Sequence, residues 1–154
     1  MISPLERFLG VPPSLARQRE EVENHLRFRS VADMRATMSE NLSHITQKSG
    51  ALLGAQAIFL VVDTYGMDHG WPHAAVLISL LTLVVAALLI MSNLKSVYMG
   101  AAREITDPAR LELEAVVQIA RLAGVRGAVF NVALYLTFLS VILLGFGAFE
   151  ASLG

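Results

Sequence analysis

The sequence predicts an all-α integral membrane protein with three transmembrane helices and two cytoplasmic amphipathic helices. Two observations carry that prediction. All twelve Lys and Arg residues fall within residues 7–48 and 95–126, and residues 49–94 and 127–154 hold none. Those same cation-free regions contain the long apolar runs of a chain that is 55% hydrophobic. A lysine or arginine at the centre of a membrane helix costs roughly 2.5–3.5 kcal/mol on insertion scales, so cations collect outside the hydrocarbon and, in short loops, on the cytoplasmic side. The alternative, a soluble protein with buried core helices, leaves too few of 154 residues to cover three such runs.

Residues 1–13, with Pro4, Pro12 and Pro13, form an irregular N-terminal arm, and Ser14 follows as a helix start. From Leu15 to Lys48 there is neither proline nor glycine. Leu15, Val22, Leu26, Val31, Met34, Met38, Leu42 and Ile45 recur there at mostly three- and four-residue spacings. That pattern predicts one cytoplasmic amphipathic helix over residues 14–48. Arg19 with Glu23, and Glu23 with Arg27, are opposite-charge pairs four residues apart on its wet face, each contributing about 0.2–0.5 kcal/mol.

The first span covers residues 49–67, about 28 Å as helix, with Asp63 four residues from its end. Gly66, Gly70 and Pro72, beside Tyr65 and Trp71, predict a tight turn with an aromatic interface anchor. Residues 72–94 form an uncharged second span of about 34 Å, with proline in the tolerated first turn. Asn93, Lys95 and Tyr98 mark the return to the cytoplasm. Asp107-Pro108 then pairs an N-cap acceptor with proline at the first helical position and starts a cytoplasmic helix over 107–126. Leu113, Val116, Ala120 and Ala123 line one face of it, and residues 127–149 form the third span. Only Gly124 and Gly127 argue for a stop between Ala109 and Phe149, so this span can continue directly from that helix. Glu150 falls just outside. Residues 49–154 are thus expected to form the membrane domain. Seven cations precede the first span, five lie between the second and third, and neither the turn nor the tail has any. The orientation is therefore N-in and C-out, in a bacterial inner (cytoplasmic) membrane, with no cleaved export signal in the first fourteen residues.

The composition excludes several classes of function. Without cysteine there are no disulfides, thiolate metal sites or thiol nucleophile. The basic blocks are interleaved with almost as many acids, so no nucleic-acid footprint is present. The chain has no Gly-x-Ser-x-Gly, His-Glu-x-x-His, Walker-type loop or dinucleotide fingerprint, and neither enzymatic activity nor a cofactor is expected. His69 and His73 stand four apart next to Asp68, but Pro72 between them breaks the helix that a shared zinc ion would need.

Three constellations remain. Ser49, Gln56 and Asp63 are seven residues apart, within about 40° of one another on a helix, and form a polar stripe along the first span. An ionisable residue there is either functional or, placed at headgroup level, structural, with Ser49 and Gln56 as interhelical hydrogen-bond glue. On the opposite face Gly50, Gly54 and Ala57 form a small-residue pattern suited to close helix packing, within the chain or between copies. His44, Gln47, Lys48, Asn93 and Lys95 form a rim where the spans meet the cytoplasm, suited to anionic lipid headgroups or to a phosphate ligand. In the third span Asn131, Tyr135, Thr137 and Ser140 do not share one face, so an aqueous channel would require several copies.

A cytoplasmic helix leading into Gln47-Lys48-Ser49-Gly50-Ala51-Leu52-Leu53-Gly54 and then a two-span hairpin resembles the Lys-Ala-(small)-Leu-Leu-Gly stretch of the SLATT and Pycsar-type membrane effectors of bacterial antiphage systems. The run Phe130-Asn131-Val132-Ala133-Leu134-Tyr135-Leu136-Thr137-Phe138-Leu139-Ser140 is similar to their final span. The resemblance implies oligomerisation and membrane disruption on perceiving a signal. The chain carries no attached sensor domain or recognisable nucleotide pocket.

The partners expected are therefore the lipid bilayer and further copies of the chain, with an oligomeric membrane effector or pore former as the function. A non-enzymatic accessory subunit bound to a membrane-protein partner and a small dimeric transporter using the polar stripe are the alternatives. Alkaline phosphatase fused after Gly154 is expected to be active in the periplasm; activity only from a cytosolic reporter at that position would overturn the assigned topology.

Overall fold

The protein is described by a computed structural model covering residues 14–26, 30–94 and 108–153. Among these residues there are four helices and no strand: α1 (Leu15–Leu26), α2 (Val31–Asp68), α3 (His73–Leu94) and α4 (Pro108–Leu153). Three of them, α2, α3 and α4, are long and apolar enough to cross a membrane. The predicted arm over residues 1–13, Arg27, Lys95, Tyr98 and the Asp107 cap lie outside the described residues.

The single helix expected over 14–48 is instead two. Gln18 N–H donates to Ser14 O at the start of α1, and a second start occurs at Ser30. There Ser30 Oγ accepts from Asp33 N–H at 3.1 Å and lies 2.7 Å from Asp33 Oδ2. This is a serine N-cap, in which the cap hydroxyl satisfies an amide that the first turn would leave orphaned. No proline or glycine announces it. From Ser30 onward α2 passes through residue 48 without interruption to Asp68, and α4 likewise joins the expected cytoplasmic helix to the third span.

The chain divides into two compact units. One comprises Met1–Thr46 and Lys95–Ala128, the other Gln47–Leu94 and Val129–Gly154. The first is organised for water. Val22, Met34, Val116 and Val117 are buried together, with Val31 and Leu113 packed against them. Charge lies outside, in the pairs Arg17–Glu21, Arg19–Glu23 and Arg19–Glu114, the last closing at 3.1 Å between α1 and α4.

The second unit reverses that order. Ile58, Val61, Leu81, Leu88, Phe146 and Phe149 are exposed, while Ser49, Gln56, Asp63, Ser79, Thr137 and Ser140 are buried. Its apolar centre is Ala86, Ile90 and Ala133, flanked by Leu52, Leu53, Leu89, Phe130 and Leu136. The buried positions of α3 are 76, 79, 83, 86, 90 and 93, and those of α4 in this unit are 133, 137, 140, 144 and 147. Such alternating three- and four-residue steps repeat every 3.5 residues, the spacing that keeps a seam facing its partner in left-handed helix packing. The outward-facing hydroxyls bond to their own helix: Thr64 Oγ1 to Leu60 O, Thr82 Oγ1 to Ile78 O and Ser92 Oγ to Leu89 O. A hydroxyl so tied makes little demand on its surroundings.

Between α2 and α3 the chain reverses within four residues. Trp71 N–H reaches back to Gly66 O at 3.0 Å, and Gly70 adopts φ +74°. This is a Schellman ending, where glycine takes the left-handed conformation that a Cβ disfavours. Trp71, expected as an interface anchor, folds back onto the bundle. A Cβ built on Gly66 would stand 2.5 Å from its Cε3, and one on Gly147 of α4 would stand 3.7 Å from that same atom. Tyr65 meets Trp71 edge-on at 6.5 Å and stacks on His69 at 3.7 Å. Substituting Gly66→Leu must displace the indole and is expected to cost about 1–3 kcal/mol. Denaturation in detergent, followed through Trp71 emission, measures this; an unchanged midpoint would show that the indole contact does not hold the turn.

Candidate functional site: a buried polar stripe

The sequence-predicted stripe lies in the interior of the apolar unit. Ser49 and Gln56 are each 1% exposed and Asp63 0%. Their seven-residue spacing keeps them on one face of α2, and from Ser49 to Asp63 that face runs about 21 Å at 1.5 Å per residue. Asp63 is covered by protein. It is also the sole Asp, Glu, Lys or Arg within residues 49–67, 73–94 and 129–149.

Facing helices meet the stripe in two layers. In the first, Gln56 Nε2 donates to Thr137 Oγ1 at 2.8 Å, and Thr137 Oγ1 donates to Ala133 O at 2.8 Å. Because the threonine hydrogen is used on its own helix, its lone pair is what the Gln56 amide finds, and the amide orientation follows. In the second layer Ser79 Oγ lies 3.2 Å from Asp63 Oδ2 and 2.7 Å from Ser140 Oγ. A hydroxyl has one hydrogen. With Ser79 donating to the carboxylate, Ser140 donates to Ser79, a relay across three helices.

Satisfaction is incomplete. Ser49 Oγ, Gln56 Oε1 and Asp63 Oδ1 are buried with no hydrogen-bond partner among the described residues, one such oxygen from each member of the stripe. Leaving a buried acceptor unmet costs about 1–3 kcal/mol, more for a charged group. Groups kept at that cost call for a reason beyond packing.

The sequence alone does not single out Ser79, and it groups Thr137 and Ser140 with Asn131 and Tyr135 as the polar residues of the third span. Taken as a pair, Thr137 and Ser140 are three residues apart and share the buried face, whereas Tyr135 is exposed and Asn131 half-buried. The available signal for Ser79 was its place in the three- and four-residue series Val76, Ser79, Leu83, Ala86, Ile90, which puts a hydroxyl on the helix face that the aliphatic residues bury.

The other predicted sites are less assembled. Gly50, Gly54 and Ala57 are exposed, and among the described residues nothing comes within 4 Å of a Cβ built on either glycine. Of the rim, His44 is exposed and 3.6 Å from Glu40, Gln47 and Lys48 are exposed, Asn93 is buried, and Lys95 lies outside the described residues. The first unit holds a pocket of about 380 Å³ lined in part by Val31, Arg35, Ser39 and Glu112. Arg35 and Glu112 bring opposite charges to it, so it is not the uniformly basic pocket that a phosphate would select.

The chain matches no protein-family model, no curated protein and no solved structure. The hydrogen bond between α2 and α4 is the direct test of the stripe's packing role. In a double-mutant cycle of Gln56→Leu and Thr137→Val, a coupling of about 0.6–1.7 kcal/mol is expected, the range for interhelical hydrogen bonds in membranes. Strict additivity would show that the two side chains do not depend on one another.

Proposed function

We propose that this chain is a non-enzymatic integral membrane protein that passes a small polar species across the bilayer through the interior of its apolar unit. The observation carrying this reading is the buried stripe of Ser49, Gln56 and Asp63, each with an unmet acceptor, inside a unit whose outer surface is apolar. In water that arrangement is inverted. In hydrocarbon it is the expected one, since exposed aliphatics cost nothing there and polar groups must face inward. The self-bonded hydroxyls of Thr64, Thr82 and Ser92 support the same surroundings.

Such passage joins two of the functions expected from the sequence. A transporter moves its solute through a polar interior, and an effector of the kind the chain resembles acts by making the membrane permeable. Because the stripe is buried inside a single chain, an interior route is favoured over a lumen assembled between copies. The inner-membrane location and the N-in, C-out orientation belong to this proposal, on the distribution of Lys and Arg. A second reading, association with further copies or with a membrane-protein partner, is favoured by the open face of Gly50, Gly54 and Ala57.

Cells expressing the full chain are expected to depolarise, as read by a membrane-potential dye, and Asp63→Asn is expected to abolish the effect at equal membrane abundance. Depolarisation by the variant equal to wild type, or none by the wild-type chain under any inducing condition, would remove the passage reading. The mass and subunit identity of the complex extracted in mild detergent separate self-association from a foreign partner.

A further inference from the structure

Around Asp63 the oxygen acceptors outnumber the hydrogens available to them. The carboxylate has two oxygens, and Ser79 and Ser140 bring two hydroxyl oxygens. Two hydroxyl hydrogens are the side-chain supply: one is engaged at Asp63 Oδ2 and the other between the serines. Asp63 Oδ1, fully buried, receives neither. Residues 49–94 and 127–154 have no Lys or Arg to serve as counter-charge. A carboxylate buried in an apolar unit without a cationic partner is far from its lowest free energy.

We infer that Asp63, Ser79 and Ser140 form a binding site for one hard monovalent cation, with Na⁺ as the ion to test. The inference rests on the membrane-passage reading and names the species that the stripe accepts. Three features select the chemistry. The ligating atoms are all oxygens, from carboxylate and hydroxyl, which suit hard cations. One carboxylate and one monovalent ion leave no net charge, whereas a divalent ion would leave a positive charge in an apolar surround. No group of three His, Cys, Asp or Glu side chains gathers among the described residues, so the donor set of a transition-metal centre is missing there.

The position of the site also fits a route. Gln56 Oε1 and Ser49 Oγ, the other unmet acceptors, follow at one-heptad intervals along α2 and offer successive oxygens to an ion leaving Asp63. Each step is about 10 Å along the helix.

The test is equilibrium dialysis of the full chain in mild detergent against radioactive Na⁺, with choline chloride holding the ionic strength constant. One saturable Na⁺ per chain is expected, displaced by unlabelled Na⁺ and not by Ca²⁺. Asp63→Asn should weaken binding by at least about tenfold, the order seen when a metal site loses a supporting group. Ser79→Ala and Ser140→Ala should each weaken it less. Trp71 emission and circular dichroism establish that each variant is folded; if Asp63→Asn is not, the two serine variants decide. Absence of saturable Na⁺ binding, displacement by Ca²⁺, or wild-type affinity in the folded variants would overturn the site. Binding without depolarisation keeps the site and removes the passage reading; depolarisation without binding does the reverse.

Discussion

Inside the apolar unit every polar atom must be met by another part of the same unit, and the structure depends on how far that is achieved. Among the described residues, Gln56 and Asp63 project from α2 toward hydrogen-bonding groups on α3 and α4. Thr137, Ser79 and Ser140 answer them, and in doing so fix the register of three helices whose apolar contacts alone would tolerate sliding. Leucine and valine pack in many arrangements; a donor 2.8 Å from its acceptor does so in few. The polar layers therefore specify the packing that Ala86, Ile90 and Ala133 fill.

The two units show opposite solutions to the same problem. Where Val22, Met34, Val116 and Val117 cluster, charged groups on α1 and α4 face outward, and exposed pairs such as Arg17–Glu21 contribute little beyond solubility. Where Ala86, Ile90 and Ala133 cluster, large aliphatic and aromatic side chains face outward and the polar side chains turn in. Both patterns arise on α2 and α4, each of which contributes residues to both units. A helix read only by its mean hydropathy would miss the change, because backbone hydrogen bonding continues through residue 48 while the preferred surroundings invert.

Much of this was legible from the sequence, for reasons particular residues make plain. The absence of cations from residues 49–94 and 127–154 locates the three apolar stretches, and the helical period alone places Ser49, Gln56 and Asp63 on one face. What could not be read was which side chains answer them. Ser79 lies sixteen residues and a chain reversal away from Asp63, and Thr137 eighty-one residues from Gln56, so their meeting depends on a register that no local pattern encodes. The start of α2 has a local signal in Ser30, an N-cap residue three positions before Asp33, but the lack of proline and glycine over residues 15–48 points to continuity. The Gly50, Gly54 and Ala57 pattern was visible too, yet spacing cannot tell a face that packs within the chain from one left open, and here it is open.

The fold-back of Trp71 couples the reversal to a helix distant in sequence. With its indole seated on Gly66 of α2 and against Gly147 of α4, one aromatic ring clasps the end of the unit across helices. It is the chain's sole tryptophan, so its fluorescence reports on the seating of α4 against the hairpin and on nothing else in the molecule.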